Sequence, residues 1–225
     1  AAPPAAPRPQ GYYRTLVLLC MVGFFWNCKP SEPYLTRYLL TDKNLTEAQL
    51  DHEVWPWYTY GKFLFLLPVG IIAESLGYRF TIFVGILCRE STRVMLIFSE
   101  GTAWMGLMEV AFATATAVDI IYFAYVYMLV DKHLFQEATG YIHAAYHVGN
   151  LLGSLCGEAL VSFTPLGDHL VVLFYISWAM STVAALFALA MPKPKFAPPP
   201  SLAQAFRESG CRKALVELGG LYRDV

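Results

Sequence analysis

The run Ala103-Trp-Met-Gly-Leu-Met-Glu109-Val-Ala-Phe-Ala-Thr-Ala-Thr-Ala-Val-Asp119-Ile-Ile-Tyr122-Phe-Ala-Tyr125-Val-Tyr127-Met-Leu-Val130 decides the fold class. It is apolar along nearly its whole length, and its only charged residues are Glu109 and Asp119. Crossing hydrocarbon takes roughly 20 mostly apolar residues in a helix, which bonds every backbone group internally. This run meets that length. Five further blocks of the same kind surround it, at residues 14–39, 54–74, 80–98, 141–163 and 169–191. The expected fold is all-α: a polytopic membrane protein whose six transmembrane helices form one bundle over residues 14–191.

Composition agrees. Of the 225 residues, 56% are hydrophobic and only 15% charged, and mean hydropathy is +0.45. A soluble domain would spread more charge over its surface, and here the apolar residues fall in long blocks. The net charge of -1, with no basic cluster interleaved with aromatics, argues against nucleic acid as a partner. Cys20, Cys28, Cys88, Cys156 and Cys211 match neither a disulfide framework nor a zinc site, and four of them lie in or beside apolar segments. No nucleophile elbow, phosphate loop or zincin motif is present, so neither an enzyme nor a cofactor is expected.

The ends read differently from the middle. Residues 1–13, rich in Ala and Pro at their start, read as a disordered cytosolic tail. Residues 192–225 read as a cytosolic linker, stiffened by the prolines up to Pro200, followed by a short amphipathic helix capped by Ser201 and reaching about Leu215. No further span follows, so a second set of helices is expected to be absent.

Basic residues near the span ends set the orientation. With the amino terminus in the cytosol, the inner segments hold Arg8, Arg14, Arg79, Lys132, Lys193 and Lys195. The outer loops then hold Arg37 and Lys43 beside several acids. The same arrangement puts the sequon Asn44-Leu45-Thr46 outside, where Asn44 can be glycosylated.

Several intramembrane residues carry chemistry. A carboxylate within a span is costly and is retained where it faces a cavity, a partner or a substrate. Glu32 sits between Pro30 and Pro33, which should unwind or kink the first span. Asp119 has Tyr122 one turn further on the same face. Trp55 and Tyr58 share a face at the outer end of the second span, either in a ligand site or in an interfacial aromatic belt. Aromatic faces with carboxylates suit a flat cationic ligand. Arg89, Glu90 and Arg93 cross the middle of the third span. The arginines either pair with Glu90, Glu109 or Asp119, or receive an anionic substrate. In the fifth span, Gly149, Gly153 and Gly157 form a close-packing surface. His143, His147, Asn150, Ser154 and Glu158 follow on a neighbouring face; no third ligand of credible spacing joins the histidines, so no metal is expected.

Two stretches bear a resemblance to known families. Gly70-Ile-Ile-Ala-Glu74-Ser-Leu-Gly77-Tyr-Arg79 is similar to the major facilitator signature, in which the acid and base hold an inner gate. The second stretch is Gly23-Phe-Phe-Trp-Asn-Cys-Lys29-Pro30-Ser31-Glu32-Pro33-Tyr34-Leu35-Thr-Arg-Tyr38-Leu39. With Asp42-Lys43-Asn44-Leu45-Thr46, Trp55-Pro56-Trp57-Tyr58-Thr59-Tyr60 and the Asp119–Tyr127 run, it resembles the thiamine and reduced-folate carrier family.

That resemblance spans about residues 14–195 and implies the amino-terminal half of a major-facilitator fold. It also implies uptake of a water-soluble vitamin, thiamine first, across the plasma membrane by alternating access. Glu32, Trp55, Tyr58, Asp119 and Tyr122 then correspond to substrate-contacting positions, with Asp119 standing for Glu and Tyr58 for Trp. The implied partners are the vitamin, the lipid bilayer, and a carboxy-terminal six-helix half or a homodimer partner. The alternatives are a reduced-folate or other organic-anion carrier, and a truncated membrane protein that does not transport.

Overall fold

The computed structural model describes residues 11–163 and 170–192, and every regular element among them is helical. Helix α1, Tyr12–Asn27, stops ahead of Pro30 and Pro33, which offer no backbone N–H. A 3-10 turn, Glu32–Tyr34, leads into α2, Leu35–Thr41. The interruption expected in the first span is present at residues 28–31. Helix α1 also takes in Tyr12 and Tyr13, which the sequence reading put in the tail, because Tyr12 is buried in the core. Residues 1–10 of that tail, His169, and the linker and amphipathic helix expected beyond Pro192 lie outside the described residues.

Asn44 turns the chain with a φ of 53°, and a capping box between Thr46 and Gln49 starts α3, Glu47–Gln49. A π-helical stretch, Leu50–Val54, follows and runs straight into α4, Trp55–Leu76. Its wide turn has a cause. Pro56 cannot donate, and its ring crowds the carbonyl a turn earlier, so an extra residue is accommodated there.

Gly77, at φ 97°, is the whole connection between α4 and α5, Tyr78–Phe98. Helix α6, Thr102–Leu129, begins after Gly101. A 3-10 turn, Lys132–Leu134, then precedes α7, Phe135–Phe163, and α8 is Val171–Leu189.

Among the described residues, three stretches are by themselves long and apolar enough to cross a membrane: Glu47–Leu76, Thr102–Leu129 and Val171–Leu189. Helices α5 and α7, with 21 and 29 residues, exceed the roughly 30 Å of hydrocarbon in length. Their polar residues dilute the apolar ones: Arg89, Glu90 and Arg93 in α5, the histidines, Asn150 and Glu158 in α7. Helix α1 alone has 16 residues, about 24 Å.

Packing is built on α6, which lies against α4 and α5, and on α1, which lies against α7 and α8; α5 also meets α8. Small residues let the backbones approach. A Cβ on Gly85 would sit 2.6 Å from the Val118 side chain, and one on Gly153 would sit 2.6 Å from the Lys29 backbone nitrogen. Gly149 and Gly157 meet the Phe24 and Pro30 carbonyls in the same way. The glycine face of α7 thus seats the end of α1 and the unwound residues after it. Facing outward, Phe63, Leu64, Leu67 and Ile71 of α4 are exposed, as lipid-facing positions are.

The core divides into two apolar clusters. One gathers Leu19, Trp26, Ile86, Val118, Tyr125 and Ala184 with their neighbours. The other gathers Tyr38, Leu39, Val54, Leu96, Met108 and Phe174 with theirs. Helices α5, α6 and α8 give buried residues to both clusters and carry polar ones between them: Arg89, Thr92 and Arg93 in α5, Glu109 in α6, and Ser177 and Ser181 in α8, all buried, as is Ser31 after α1. A polar layer therefore cuts the bundle at mid-height.

Candidate functional site

Arg89 donates from Nη2 to Asp119 Oδ1 at 2.8 Å. Its guanidinium lies over the Trp26 ring, 4.3 Å from the centroid. Tyr122 meets Trp26 edge-on at 5.6 Å and donates its hydroxyl to the Leu19 carbonyl at 3.0 Å. Asp119 and Tyr122 thus line one cavity with Trp26, Asn27, Arg89 and Tyr146. The expected pairing of these two residues is present. Trp26 was missed by sequence reasoning, because a tryptophan in an apolar span looks like any packing residue.

Glu32 belongs to a second group. Lys29 Nζ is 3.6 Å from its carboxylate, and Arg93 Nη2 is 3.9 Å from it. Lys29 and Glu32 are three residues apart, a spacing that brings side chains to one face of a helical turn. The break is anchored where the backbone N–H of Ser31 donates to Ser177 Oγ at 3.0 Å. Lys29 also stands 5.6 Å from the Phe112 ring centre, and Phe112 packs on Tyr58 at 5.5 Å. Tyr58 therefore joins Glu32 through Phe112 and Lys29. Lys29 and Phe112 were not singled out from the sequence.

Trp55 packs, as Tyr34 and Leu35 do, against the apolar cluster that holds Tyr38, Leu96 and Met108, and it is not among the residues lining the cavity of Asp119 and Tyr122.

The three charges of α5 separate by role. Arg89 and Arg93, one turn apart, reach Asp119 and Glu32. Glu90 turns the other way and accepts from Trp178 Nε1 at 2.7 Å, Ser181 Oγ at 2.7 Å and Thr182 Oγ1 at 3.2 Å, all on α8. Of the partners open to the arginines from the sequence, Asp119 is taken; Glu90 and Glu109 are not. On α7, His143 stacks on Phe123 at 4.9 Å, and Glu158 accepts from the Tyr34 hydroxyl.

The signature-like stretch lies at the α4–α5 turn. Gly77 makes the turn. Gly70 sits within α4 with open space where a Cβ would be, so the close helix approach expected there does not occur at Gly70. Glu74 and Arg79 flank the turn and are exposed. Asn44 is also exposed, in the loop ahead of α3.

A family model for the reduced folate carrier matches residues 10–198. The chain belongs to the reduced folate carrier family. Thiamine transporter 1 of Mus musculus is 38% identical over 190 residues, which make up 84% of this chain and 38% of that protein. Thiamine transporter 1 of Homo sapiens is 36% identical over 192 residues, 85% of this chain and 38% of the relative. Folate transporter 1 of Caenorhabditis elegans is 33% identical over 182 residues, 80% and 40% respectively. The chain thus spans 38% to 40% of the length of these relatives. Membership of this family together with long apolar helices makes it a membrane protein.

Proposed function

We propose that this chain supplies the amino-terminal, six-span half of a thiamine carrier working by alternating access across the plasma membrane. The observation that carries this reading is the order of charges in the polar layer. The side chains of Arg89 and Arg93 are 7% and 5% exposed, whereas those of Asp119 and Glu32, to which they are joined, are 36% and 43% exposed. The acids stand toward the cavity with the bases behind them, so an entering ligand meets carboxylates first. That arrangement favours a cation. Thiamine is a permanent cation with a flat, hydrogen-bonding aminopyrimidine, and Trp26, Tyr122, Tyr58 and Phe112 offer aromatic faces.

In this reading α1 with α2 forms one broken span, and α4 to α8 form the other five. Helices α5 and α7 cross despite their polar residues because those of α5 face the interior and those of α7 face the pathway. The amino terminus is cytosolic, and Glu74 and Arg79 act at the inner gate. The opposite wall of the pathway comes from a carboxy-terminal six-helix half or from a second copy of the chain.

A folate or other organic anion is the second reading, favoured by one observation. The Nε atoms of Arg89 and Arg93 are buried without a hydrogen-bond partner, and an anion would supply acceptors. Uptake of labelled thiamine and labelled reduced folate by cells expressing the complete carrier separates the two. Thiamine uptake that excess folate leaves unchanged supports the first reading; folate uptake that excess thiamine leaves unchanged supports the second.

A further inference from the structure

Helices α5 and α8 leave an open seam between them at the end of the bundle where Arg79 stands. Its floor is Ile82, Ile86, Ala188 and Met191, all buried, and Phe80, Phe83 and Leu189 rise beside it, exposed. The space amounts to about 290 Å³, near the lower bound of roughly 300 Å³ for pockets that hold small ligands. Beyond Ile86 and Ala188 it closes. The next gap along the seam, bounded by Trp26, Arg89, Glu90 and Ser181, has about 10 Å³, barely enough for one water. The groove is thus an apolar slot, shut at the polar layer and open at the end of the bundle.

Its one charged lining residue is Arg79, at the mouth. Arg79 is exposed, and among the described residues it forms no hydrogen bond or ion pair, with Glu74 or any other. It sits in the first turn of α5, which has no side-chain cap and no acid, so the positive end of the helix dipole adds to the guanidinium. The Tyr125 hydroxyl donates to the Pro192 carbonyl, which ties the end of α8 to α6 and holds the floor at Met191 in place. The opening on the outer face of α4, between Phe63, Leu67 and Ile71, makes the contrast. No charge lines it, so it can take an acyl chain and select no headgroup.

We propose that the α5–α8 groove is a binding site for an anionic phospholipid, with one acyl chain on the apolar floor and the phosphate on Arg79. Guanidinium and phosphate form strong, often bidentate contacts, and the chain covers apolar surface that the seam leaves open. A zwitterionic headgroup brings its own cation up to the arginine and gains less. In the orientation proposed above, the mouth opens on the cytosolic leaflet, which carries the anionic lipids. The selectivity itself depends neither on that orientation nor on which vitamin is carried.

The test uses the complete carrier in detergent, with dioleoyl phosphatidylserine, dioleoyl phosphatidylcholine and oleic acid as probes. Native mass spectrometry counts the lipids retained by the wild type, Arg79→Ala, Arg79→Lys and Arg14→Ala; Arg14 is exposed in the first turn of α1 and does not line the groove. Phosphatidylserine with a photoreactive acyl chain maps the place. Phosphatidylserine should be retained in preference to phosphatidylcholine. That preference should fall about five-fold in Arg79→Ala, the equivalent of roughly 1 kcal/mol per base at an anionic surface. Arg79→Lys should keep most of it and Arg14→Ala all of it, and crosslinks should fall on residues 80–86 and 188–191. Because Arg79 is exposed and unbonded, its variants should keep the wild-type melting temperature. Equal retention of the two phospholipids, an equal fall in Arg14→Ala, crosslinks elsewhere on the bundle, or displacement of phosphatidylserine by equimolar oleic acid would overturn the proposal.

Discussion

Arg89 and Asp119 are joined at 2.8 Å across the interface of α5 and α6, with the arginine buried and the carboxylate at the cavity. In the proposed reading, the pair fixes which charge a ligand encounters. It also explains how a helix with three charges at its middle survives in a membrane bundle, because each charge has a partner on another element. Arg89 reaches α6, Arg93 the unwound segment, and Glu90 α8.

Glu90 is accordingly a structural residue. Replacing it with Ala strands the Trp178, Ser181 and Thr182 donors and leaves a void against α8. Loss of charge-assisted bonds of this kind costs about 2 to 4 kcal/mol. Fluorescence-detected thermal unfolding of the solubilised carrier should show a clear fall in melting temperature, while the ratio of thiamine to folate affinity in the surviving protein stays unchanged. A shifted ratio with normal stability would place Glu90 in the ligand site.

The α7 glycine face should tolerate no side chain opposite the break. Gly153→Val drives a branched side chain into the backbone of Lys29 and Cys28, an overpacking costing about 1 to 3 kcal/mol. Yield of monodisperse protein and melting temperature should both drop, with Gly140→Val, where a Cβ meets open space, as the tolerant control. Equal behaviour of the two variants would contradict the described packing of α7 on α1.

Much of this was legible in the sequence, for physical reasons that can be named. The apolar run containing Asp119 and the proline pair around Glu32 are local signals: hydrocarbon demands the first, and a missing N–H dictates the second. The block at residues 54–74 overlaps α4, Trp55–Leu76, but the π-helical stretch ahead of it was not legible, since a single wide turn is too short to stand out in the apolar pattern. Pairing across helices was also hidden. Arg89 had three acids within reach on paper, and only the register of α5 against α6 selects Asp119. Trp55 and Tyr58 illustrate the same limit: neighbours on one helix face, they meet different partners, an apolar cluster and Phe112.

Asn44 should carry glycan when the protein is made in a eukaryotic cell, because it is exposed in the loop proposed to lie outside. A glycosidase-sensitive mass shift is expected and should vanish in Asn44→Gln. A shift that persists in that variant would refute the assignment, and absence of any shift would count against the outward orientation.

The 225 residues reconstituted alone in liposomes should give no vitamin uptake, since one six-helix wall leaves the pathway open along its side. Robust uptake by protein shown to be monomeric would refute the need for a second half or a second copy.

The most direct test of cation selection is competitive uptake of labelled thiamine and labelled reduced folate by the complete carrier as wild type, Asp119→Asn and Arg89→Gln. Asp119→Asn is nearly isosteric and keeps an acceptor for Arg89, so the bundle should survive. Losing the charge-assisted contact to a cation costs about 2 kcal/mol, roughly a thirty-fold fall in thiamine affinity. Arg89→Gln should weaken thiamine uptake less, through looser positioning of Asp119. The account predicts thiamine as the dominant substrate and Asp119→Asn as the more damaging change. Dominant folate uptake that collapses in Arg89→Gln and is untouched by Asp119→Asn would contradict it.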